Sequence, residues 1–439
     1  TVRALAVAQD GRILASGGAD RAVHLWDTQD GRSISAPIRH SDAITSIAIS
    51  ADARRLIYGS TDKSFRITDS RGLGNGVRVA QHDEAIELVA LSADDSELVS
   101  VSKDSGARSW SLAALKTSSQ LVERGNVLSL AFNPKTRDLL SAGLGRNGIC
   151  LWDLRSASCT TRLPANVDRV RALAVSPDGA ILAVAGSGGQ VFLWDLTRRI
   201  PTTVLDGHRD EVRALTFSTD GRRLASASLD RTIRVVSTSD AAGVASFTTQ
   251  APVQGLSFIP GAAELLSGDR DGVLEIWNVA RGERTARWKA HDDWILCVAT
   301  SFDGRWLASA GGDRFVRIWN AKTKTLAFDL VGSEGRVTSL DFSADGSLLA
   351  STGEDKVVRI WQVESGKELA RLGGHEGTVR SVRFAPSAPT LASGSDDGTI
   401  RLWDLSGLYR PASEIIARTE HQFGVELSGT RVIWKAPSR

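Results

Sequence analysis

Histidine, serine and aspartate recur in this chain at spacings that could build a nucleophilic site. His375 is followed 18 residues on by Ser393, and Asp397 comes four residues later. In acyl-transfer enzymes a serine attacks, a histidine takes its proton and an aspartate orients the histidine. Two further sets share this spacing: His82, Ser100 and Asp104, and His291, Ser309 and Asp313. Because one active site needs only one set, the repetition favours a structural role, and we predict no catalytic residue.

Other chemical motifs are few. Ser-x-x-Lys, the spacing of some acyl-enzymes, begins at Ser60 and at Ser100, but both copies lie in the segment that carries the recurring aspartate. The sequence has no phosphate-binding loop, no His-Glu-x-x-His motif and no Cys-x-x-Cys pair. Only seven histidines are present, and no two are spaced for a metal. We therefore predict no metal, no cofactor and no enzymatic activity.

A tryptophan position follows each aspartate by six residues and repeats along the whole chain. Successive positions lie 42 residues apart except for one step of 41, and they are Trp26, Thr68, Trp110, Trp152, Trp194, Val236, Trp277, Trp319, Trp361 and Trp403. A fixed period of this length indicates one structural unit copied along the chain. We number the copies one to ten by these positions.

Each copy contains three short alternating stretches between turn residues and a weaker fourth. In copy ten they lie at 379–384, 391–393 and 400–404, separated by turns at Pro386 and at Asp397-Gly398. This pattern predicts four short strands per copy. A single sheet of this size cannot bury its own apolar faces, so neighbouring sheets must stack, radially if a ring closes. The fold class is therefore all-β, a propeller of four-stranded antiparallel sheets.

These residues resemble the WD-repeat family, whose units carry Gly-His, a strand, a turn aspartate and a terminal Trp-Asp. The resemblance covers residues 1 to about 417. In that family the four recurring residues form one chain of hydrogen bonds, from indole to serine, serine to histidine and histidine to aspartate. The resemblance therefore assigns structural roles to His82, Ser100, Asp104, Trp110, His291, Ser309, Asp313, Trp319, His375, Ser393, Asp397 and Trp403.

Several copies lack part of the set. Copy six keeps His208, Ser226 and Asp230 but has Val236 in the tryptophan position. Copy two has Tyr58 and Thr68 in the serine and tryptophan positions, and copies seven and nine have Thr249 and Ser333 in the histidine position. Copies four and five have Arg124 and Asn166 in the histidine position. We expect copies four and five to depend on apolar packing.

Ten copies exceed the four to eight sheets of a usual ring. We predict three sheets of an incomplete propeller in residues 1–125 and a seven-bladed propeller in residues 126–439, ending in a hairpin at 423–427 and 430–435. A division after copy seven, near Ala290, is the alternative.

The resemblance also implies a docking edge, formed by the residues that open the first strand of each copy and by those before the turn aspartate. The predicted partner-binding residues are Arg169, Arg171, Arg213, Arg270, Trp294, Arg336 and Arg380, with Arg3 and Lys103 at further such positions. Guanidinium groups bind carboxylate and phosphate through two hydrogen bonds, which indicates an acidic or phosphorylated protein segment. The alternative is an ordinary solvated face, since 53 basic residues balance 51 acidic ones.

Composition excludes several classes of partner. The net charge of +2 does not indicate nucleic acid or an anionic membrane, and no run of about 18 apolar residues could span a bilayer. Three cysteines are too few and too irregularly spaced for a disulfide framework, and Cys150 and Cys297 lie in apolar stretches. We predict a cytoplasmic protein that binds a protein partner or another domain of its own chain, with no small-molecule substrate.

Two functions fit these observations. The first is a non-catalytic scaffold for protein–protein interaction. The alternative is the regulatory or sensor half of a larger signalling NTPase, caspase-like protease or protein kinase, because long regular repeats resemble those of bacterial multi-domain proteins. The chain opens directly on a strand-like stretch and has no methionine, which suggests the carboxy-terminal part of a longer protein.

Overall fold

The computed structural model describes residues 1–69, 77–80, 84–91, 95, 97–103, 107–111, 120–123, 125–144, 148–154, 156–167, 169–405, 425–428 and 431–434. Every regular element in these stretches is a β-strand. Most strands form antiparallel sheets of four in which sequence neighbours pair. The predicted fold class, an all-β protein of four-stranded antiparallel sheets, is confirmed. Residues 119–368 and 375–402 form one compact unit, here the longer unit, and the remaining residues form the shorter unit.

The shorter unit begins with two four-stranded sheets and a sheet described by three strands. The first sheet holds β1 Val2–Val7, β2 Ile13–Gly18, β3 Ala22–Asp27 and β4 Ile38–Arg39. The second holds β5 Ile44–Ile49, β6 Arg55–Ser60, β7 Ser64–Asp69 and β8 Val77–Ala80. The third holds β9 Ile86–Leu91, β10 Glu97–Ser102 and β11 Ala107–Ser111.

Seven further sheets follow, each of four strands. Their strands up to residue 248 are β12 Gln120–Val122, β13 Val127–Phe132, β14 Leu139–Gly143, β15 Ile149–Asp153, β16 Ser158–Leu163, β17 Val170–Val175, β18 Ile181–Gly186, β19 Val191–Asp195, β20 Ile200–Leu205, β21 Val212–Phe217, β22 Arg223–Ser228, β23 Thr232–Ser237 and β24 Gly243–Thr248.

The remaining strands continue the same order to residue 404. They are β25 Val253–Ile259, β26 Glu264–Asp269, β27 Val273–Asn278, β28 Glu283–Lys289, β29 Ile295–Thr300, β30 Trp306–Gly311, β31 Val316–Asn320, β32 Leu326–Leu330, β33 Val337–Phe342, β34 Leu348–Gly353, β35 Val358–Gln362, β36 Glu368–Leu372, β37 Val379–Phe384, β38 Thr390–Ser395 and β39 Thr399–Asp404. A separate hairpin pairs β40 Val425–Ser428 with β41 Arg431–Trp434.

The sequence of each strand reflects its place in the sheet. The second strand of a copy is buried on both faces and is a continuous run of small and apolar residues, as in β18, where five of the six residues are buried. The fourth strand is mostly exposed, as in β20, where no residue is fully buried. A short apolar run is typical of a strand enclosed between layers, whereas mixed polarity is typical of an outer strand. The apolar core therefore lies between sheets rather than within one.

The first strand of each copy carries a β-bulge near its start. In β17 the pairing with β18 skips Arg171, and in β21 and β37 it skips Arg213 and Arg380. A bulge leaves one residue outside the ladder and turns its side chain away from the regular alternation. Three of the predicted partner-binding arginines therefore occupy bulge positions.

Neighbouring sheets of the longer unit are joined by serine side chains as well as by apolar packing. Ser129 Oγ accepts a hydrogen bond from the amide of Leu173 on the next sheet at 3.1 Å. Ser381 Oγ accepts the corresponding bond from the amide of Leu130, also at 3.1 Å. The last sheet of this unit therefore contacts the first through the same bond that joins two consecutive sheets.

The fourth strand of that last sheet comes from an earlier part of the chain. Strand β12 pairs with β39, Leu121 opposite Ile400. Leu121 is fully buried in a cluster that includes Val127, Leu130 and Ala392. Residues from two distant parts of the chain thus complete one sheet and one core.

The cysteines differ from expectation. Cys150 on β15 and Cys159 on β16 form a disulfide, with Cα atoms 5.7 Å apart. The prediction that Cys150 acts only as a small apolar side chain is wrong, because strand pairing brings a second cysteine to it. Burial raises the pKa of the Cys297 thiol far above its usual value, which keeps it protonated and a poor nucleophile.

We expect Leu121→Ala to lower the free energy of unfolding by about 2–5 kcal/mol, because it opens a cavity in a fully buried core. Val122 lies beside it on the same strand and is 72% exposed, so Val122→Ala is the matched control and should change stability by less than about 0.5 kcal/mol. Chemical denaturation of both variants measures the difference. Equal losses would contradict the closing role of β12.

Candidate functional site

The recurring His, Ser, Asp and Trp residues meet in the interior of the sheets. In copy eight, His291 Nδ1 lies 2.9 Å from the carboxylate of Asp313, and Nε2 lies 2.7 Å from Ser309 Oγ. The indole N–H of Trp319 donates to the same serine oxygen at 2.9 Å. His291 and Ser309 are buried. The serine is thus held between two ring nitrogens, which stabilises the sheet but leaves no room for a substrate.

Copy ten has the same geometry. His375 Nδ1 lies 2.9 Å from Asp397 and Nε2 lies 2.8 Å from Ser393 Oγ. Trp403 is buried. In copy three, Ser100 is fully buried, whereas His82, Asp104 and the side chain of Trp110 lie outside the described residues.

The aspartates of these sets stay ionised. Burial alone would raise the pKa of Asp230 in copy six, but Thr232, the Arg209 amide and His208 lower it to about 2. The pKa values of Asp313 and Asp397 also lie below the usual value. Burial would raise them, and the hydrogen bonds to His291 and His375 are the largest of the effects that lower them. Burial lowers the pKa of His208, so its ring is neutral at pH 7. An ionised aspartate beside a neutral histidine fixes the histidine tautomer with its proton on Nδ1.

Copy four differs from expectation. Glu123, one residue before the predicted position, accepts the hydrogen bond of Ser141 at 2.7 Å, and Trp152 donates to Ser141 at 2.8 Å. Arg162 pairs with Glu123 at 2.8 Å. Copy four was expected to depend on apolar packing more than on a polar network, but a one-residue shift in spacing hid the polar partners that it has. Arg124 itself lies outside the described residues.

Copy five lacks the serine acceptor. Val184 pairs opposite Phe192 on the neighbouring strand, and among the described residues the buried indole nitrogen of Trp194 has no hydrogen-bond partner. Trp194 packs instead in a cluster with Leu182, Val184 and Phe192. In this copy apolar contacts carry the packing.

Along the predicted docking edge, three arginines are neutralised by neighbours. Arg171 contacts Glu211 at 2.5 Å, and Arg213 contacts the same carboxylate at 2.8 Å. Arg213 also donates to Gln254 at 2.8 Å. Arg380 contacts Asp396 at 2.6 Å. These bulge arginines are half-buried and already hold their partners.

The contacts among Arg171, Glu211 and Arg213 change the pKa values of Arg171 and Glu211. Burial and the nearby Arg213 lower the pKa of Arg171. Burial would raise the pKa of Glu211, but its bonds to Arg213 and Arg171 bring it below its usual value. One carboxylate thus serves two guanidinium groups and remains ionised. An external acid would have to compete with Glu211 for them.

A second group of residues has a different character. Trp294 is 41% exposed, the guanidinium of Arg270 lies 4.6 Å from its ring centre, and that of Arg336 lies 5.9 Å from it. Both distances allow a cation–π contact. Within the described part of the chain, neither guanidinium has a carboxylate at ion-pair distance. We call Arg270, Trp294 and Arg336 the Trp294 patch.

The backbone beside Trp294 is held by two glycines. Gly311 pairs opposite Ile295, and a Cβ atom at Gly311 would lie 1.8 Å from the carbonyl oxygen of Trp294. The amide of Gly312 donates to that oxygen at 2.8 Å. Other copies make the equivalent bond with a different residue in the position of Gly311, as Ser228 and Ser395 show.

Gln254 is a further residue that sequence reasoning missed. It occupies the bulge of β25, is buried, and binds Arg213. Its position in the copy matches that of Arg213, so alignment of the copies could have found it. Arg169, also predicted, is exposed and pairs with Leu144 through a single backbone bridge.

The described residues support recognition more than chemistry. They contain no cluster of three or more histidine, cysteine, aspartate or glutamate side chains arranged to hold a metal ion. Over the same stretches, no helix is long and apolar enough to cross a bilayer. The arrangement offers an exposed aromatic ring, adjacent cationic groups and a rigid backbone.

Comparison with known families gives a match over more than half of the chain. The family model described as WD domain, G-beta repeat matches residues 1–27, 32–69, 157–195, 199–237, 282–320, 324–362 and 366–404. Residues between these segments include strands β25 to β27, whose sheet has the same strand order as the others.

Individual relatives match over short segments. The nuclear distribution protein PAC1-2 of Uncinocarpus reesii is 41% identical over 76 residues, 16% of this chain and 17% of the relative. The nuclear distribution protein nudF of Emericella nidulans is 39% identical over 71 residues, 16% of each chain. A kinesin-like protein of Homo sapiens is 34% identical over 88 residues, 19% of this chain and 5% of the relative. The chain thus covers less than a fifth of each relative, and these fungal and human proteins give no support for a bacterial origin.

Ser309→Ala should lower the free energy of unfolding by about 1–3 kcal/mol, because it leaves Trp319 and His291 with unpaired buried nitrogens. Ser365 is exposed, donates to Gln362 and accepts a long 3.4 Å bond from the Lys367 amide, so Ser365→Ala should change stability by less than about 0.5 kcal/mol. Urea denaturation measures both. A loss as small for Ser309→Ala as for the control would show that the serine is not structural.

The depressed pKa of Asp230 predicts a specific pH dependence. Because its folded pKa, about 2, is below the ordinary value of 3.8, the stabilisation is complete above about pH 4 and is lost as the pH falls towards 2. We expect Asp230→Asn to be less stable than the wild type at pH 7 and to approach it at pH 2.5. Denaturation curves across this range test the point, and a gap that stays constant with pH would contradict it.

Proposed function

Because the chain belongs to the WD domain, G-beta repeat family, we propose that it is a non-catalytic scaffold that binds a protein partner along the edge where its first strands open. The observation that carries this proposal is the Trp294 patch, an exposed indole beside two guanidinium groups. Tryptophan and arginine are the residue types most often dominant in protein interfaces.

The chemistry of the Trp294 patch favours an acidic or phosphorylated segment as partner. Arg336 is exposed, and its guanidinium is available for two hydrogen bonds to a carboxylate or phosphate. Arg270 adds positive charge on the indole. Three predicted arginines have a different role in this proposal, because they are already paired with carboxylates and order the surrounding edge. They are Arg171 and Arg213, which bind Glu211, and Arg380, which binds Asp396.

We also propose that the seven sheets formed by residues 120–404 close into one seven-bladed ring. Two contacts support this: the pairing of β12 with β39, and the bond from the Leu130 amide to Ser381. A closed ring would keep the residues of the Trp294 patch, which come from three strand connections, at fixed separation. Such preorganisation reduces the entropy cost of binding.

The partner in this proposal is a separate protein or another domain of the same polypeptide. Both would present the same chemistry to the Trp294 patch. The alternative hypothesis, in which this chain regulates an NTPase, a protease or a kinase, would use the same surface for an internal contact. Sequencing the coding region upstream of Thr1 separates the two, because a catalytic domain there would have its own motifs.

Peptide binding tests the proposal directly. Fluorescent peptides of equal length that contain glutamate, phosphoserine or glutamine are titrated against the wild type, Arg336→Glu and Trp294→Ala. We expect the glutamate or phosphoserine peptide to bind the wild type and to lose about tenfold or more in affinity in each variant, since one charge or one aromatic anchor at an interface contributes about 1–2 kcal/mol or more.

Arg281→Glu is the matched control. Arg281 is exposed and lies in the turn between β27 and β28, at the opposite edge of the sheet from Trp294. The Arg281→Glu variant has the same change in net charge as Arg336→Glu, and its affinity for the peptides should stay within about twofold of the wild type. Equal loss in Arg281→Glu and Arg336→Glu would indicate a general charge effect, and equal affinity for all three peptides would contradict the proposed partner class.

A further inference from the structure

Copy six contains a cavity where other copies hold an indole. It has a volume of about 330 Å³ and lies between β20 and β24, with Val236 and Ser226 in its wall. In copies seven and eight the tryptophan ring packs on the outer strand of the preceding sheet, Trp277 on Phe247 and Trp319 on Trp288. The corresponding outer strand for copy six is β20, whose Leu205 lines the cavity. The small Val236 side chain thus leaves the place of the ring open.

Copy two also lacks its tryptophan, but it has a large side chain in the serine position. Tyr58 replaces the serine there, is almost fully buried, and packs edge-on against His40 with ring centres 5.6 Å apart. Copy six keeps the small Ser226 instead. Loss of tryptophan without a compensating large side chain accounts for the open volume.

One wall of the cavity has the polar groups that bind an indole in other copies. Ser226 Oγ lies 2.8 Å from His208 Nε2, and the Nδ1 of His208 lies 3.1 Å from Asp230. This matches the arrangement around Ser309, where the serine oxygen also accepts the indole N–H. In copy six the serine oxygen therefore retains a lone pair directed at a missing donor.

The other walls suit a flat aromatic ring. Val191 is buried and apolar, and Leu205 and Val236 complete that side. Arg234 also lines the cavity, and its buried Nε has no hydrogen-bond partner among the described residues. A mostly apolar cleft of about 300–1,000 Å³ with a few convergent polar groups is typical of small-molecule sites.

We propose that this cavity binds a small planar heteroaromatic molecule with a ring N–H, such as an indole. The ring would fill the volume vacated by tryptophan, its N–H would donate to Ser226, and the guanidinium of Arg234 would lie beside it. No reaction is involved. The site is independent of the Trp294 patch and of the proposed protein partner.

Indole itself is the probe. Isothermal titration and thermal melting with indole should show saturable binding to the wild type and a rise in melting temperature, since a ligand that binds only the folded state stabilises it. A fragment of this size should bind in the micromolar to millimolar range. Failure of indole to bind the wild type at millimolar concentration would overturn the proposal.

Val236→Trp tests the location. The new indole should occupy the cavity, raise the melting temperature and abolish indole binding. Val204→Trp is the matched control, because Val204 lies on β20, is exposed and does not line the cavity; this variant should bind indole as the wild type does. If Val236→Trp does not fold, Ser246→Leu, which lies opposite Arg234 on the cavity face of β24, narrows the cavity and should weaken binding at least tenfold. Wild-type affinity in either cavity-filling variant would overturn the proposal.

1-Methylindole and Ser226→Ala test the hydrogen bond. Methylation removes the donor, so the wild type should bind 1-methylindole about three- to tenfold more weakly than indole. In Ser226→Ala the two ligands should bind equally, because the acceptor is gone. A preference for indole that persists in Ser226→Ala would show that the serine is not the recognition group.

Discussion

The structure depends on the inability of one four-stranded sheet to bury its own surface. The second strand of each copy is apolar on both faces, as in β18 and β34, and each face requires a neighbouring sheet. Burial of apolar area is the main favourable term in folding. The apolar clusters accordingly combine residues from adjacent sheets, such as Leu182 and Leu140. The repeat of the sequence therefore follows from a requirement for identical neighbours.

The polar residues inside these sheets serve the same requirement. A buried histidine, serine or aspartate must be hydrogen-bonded, and the recurring set satisfies its members mutually, as in copy eight. Interior and edge residues therefore have different roles. Interior polar groups stabilise the sheets, and the residues proposed for recognition lie at the strand openings, where bulges interrupt the regular alternation of side chains.

The period of the copies predicted the fold class, and the resemblance to the WD-repeat family supplied the hydrogen-bonded sets of copies eight and ten. Spacing did not locate the hydrogen-bonding partners of copy four, because their positions are shifted by one residue. In copy four the true partners are Glu123 and Ser141, each one residue from the expected position. The disulfide of Cys150 and Cys159 depends on strand pairing, which an irregular cysteine spacing does not reveal.

The candidate site was predicted less completely than the fold. Residue type identified Trp294 and the arginines, but it did not distinguish Arg336, which is exposed, from Arg213, which shares a carboxylate with Arg171. That distinction depends on side-chain geometry across two sheets. The cavity of copy six arises where Val236 replaces the tryptophan. In copy two Thr68 replaces the tryptophan, but the large Tyr58 side chain packs nearby against His40.

The pairing of β12 with β39 also has a consequence for synthesis of the chain. Strand β12 is synthesised well before β39, and the Leu130 amide meets Ser381 across a separation of 251 residues. Contacts of such long sequence separation form late and slowly. Until β39 is made, β12 lacks its partner strand, and an unpaired strand edge can pair with other chains. The nascent polypeptide therefore passes through an interval in which these strand edges are prone to aggregation.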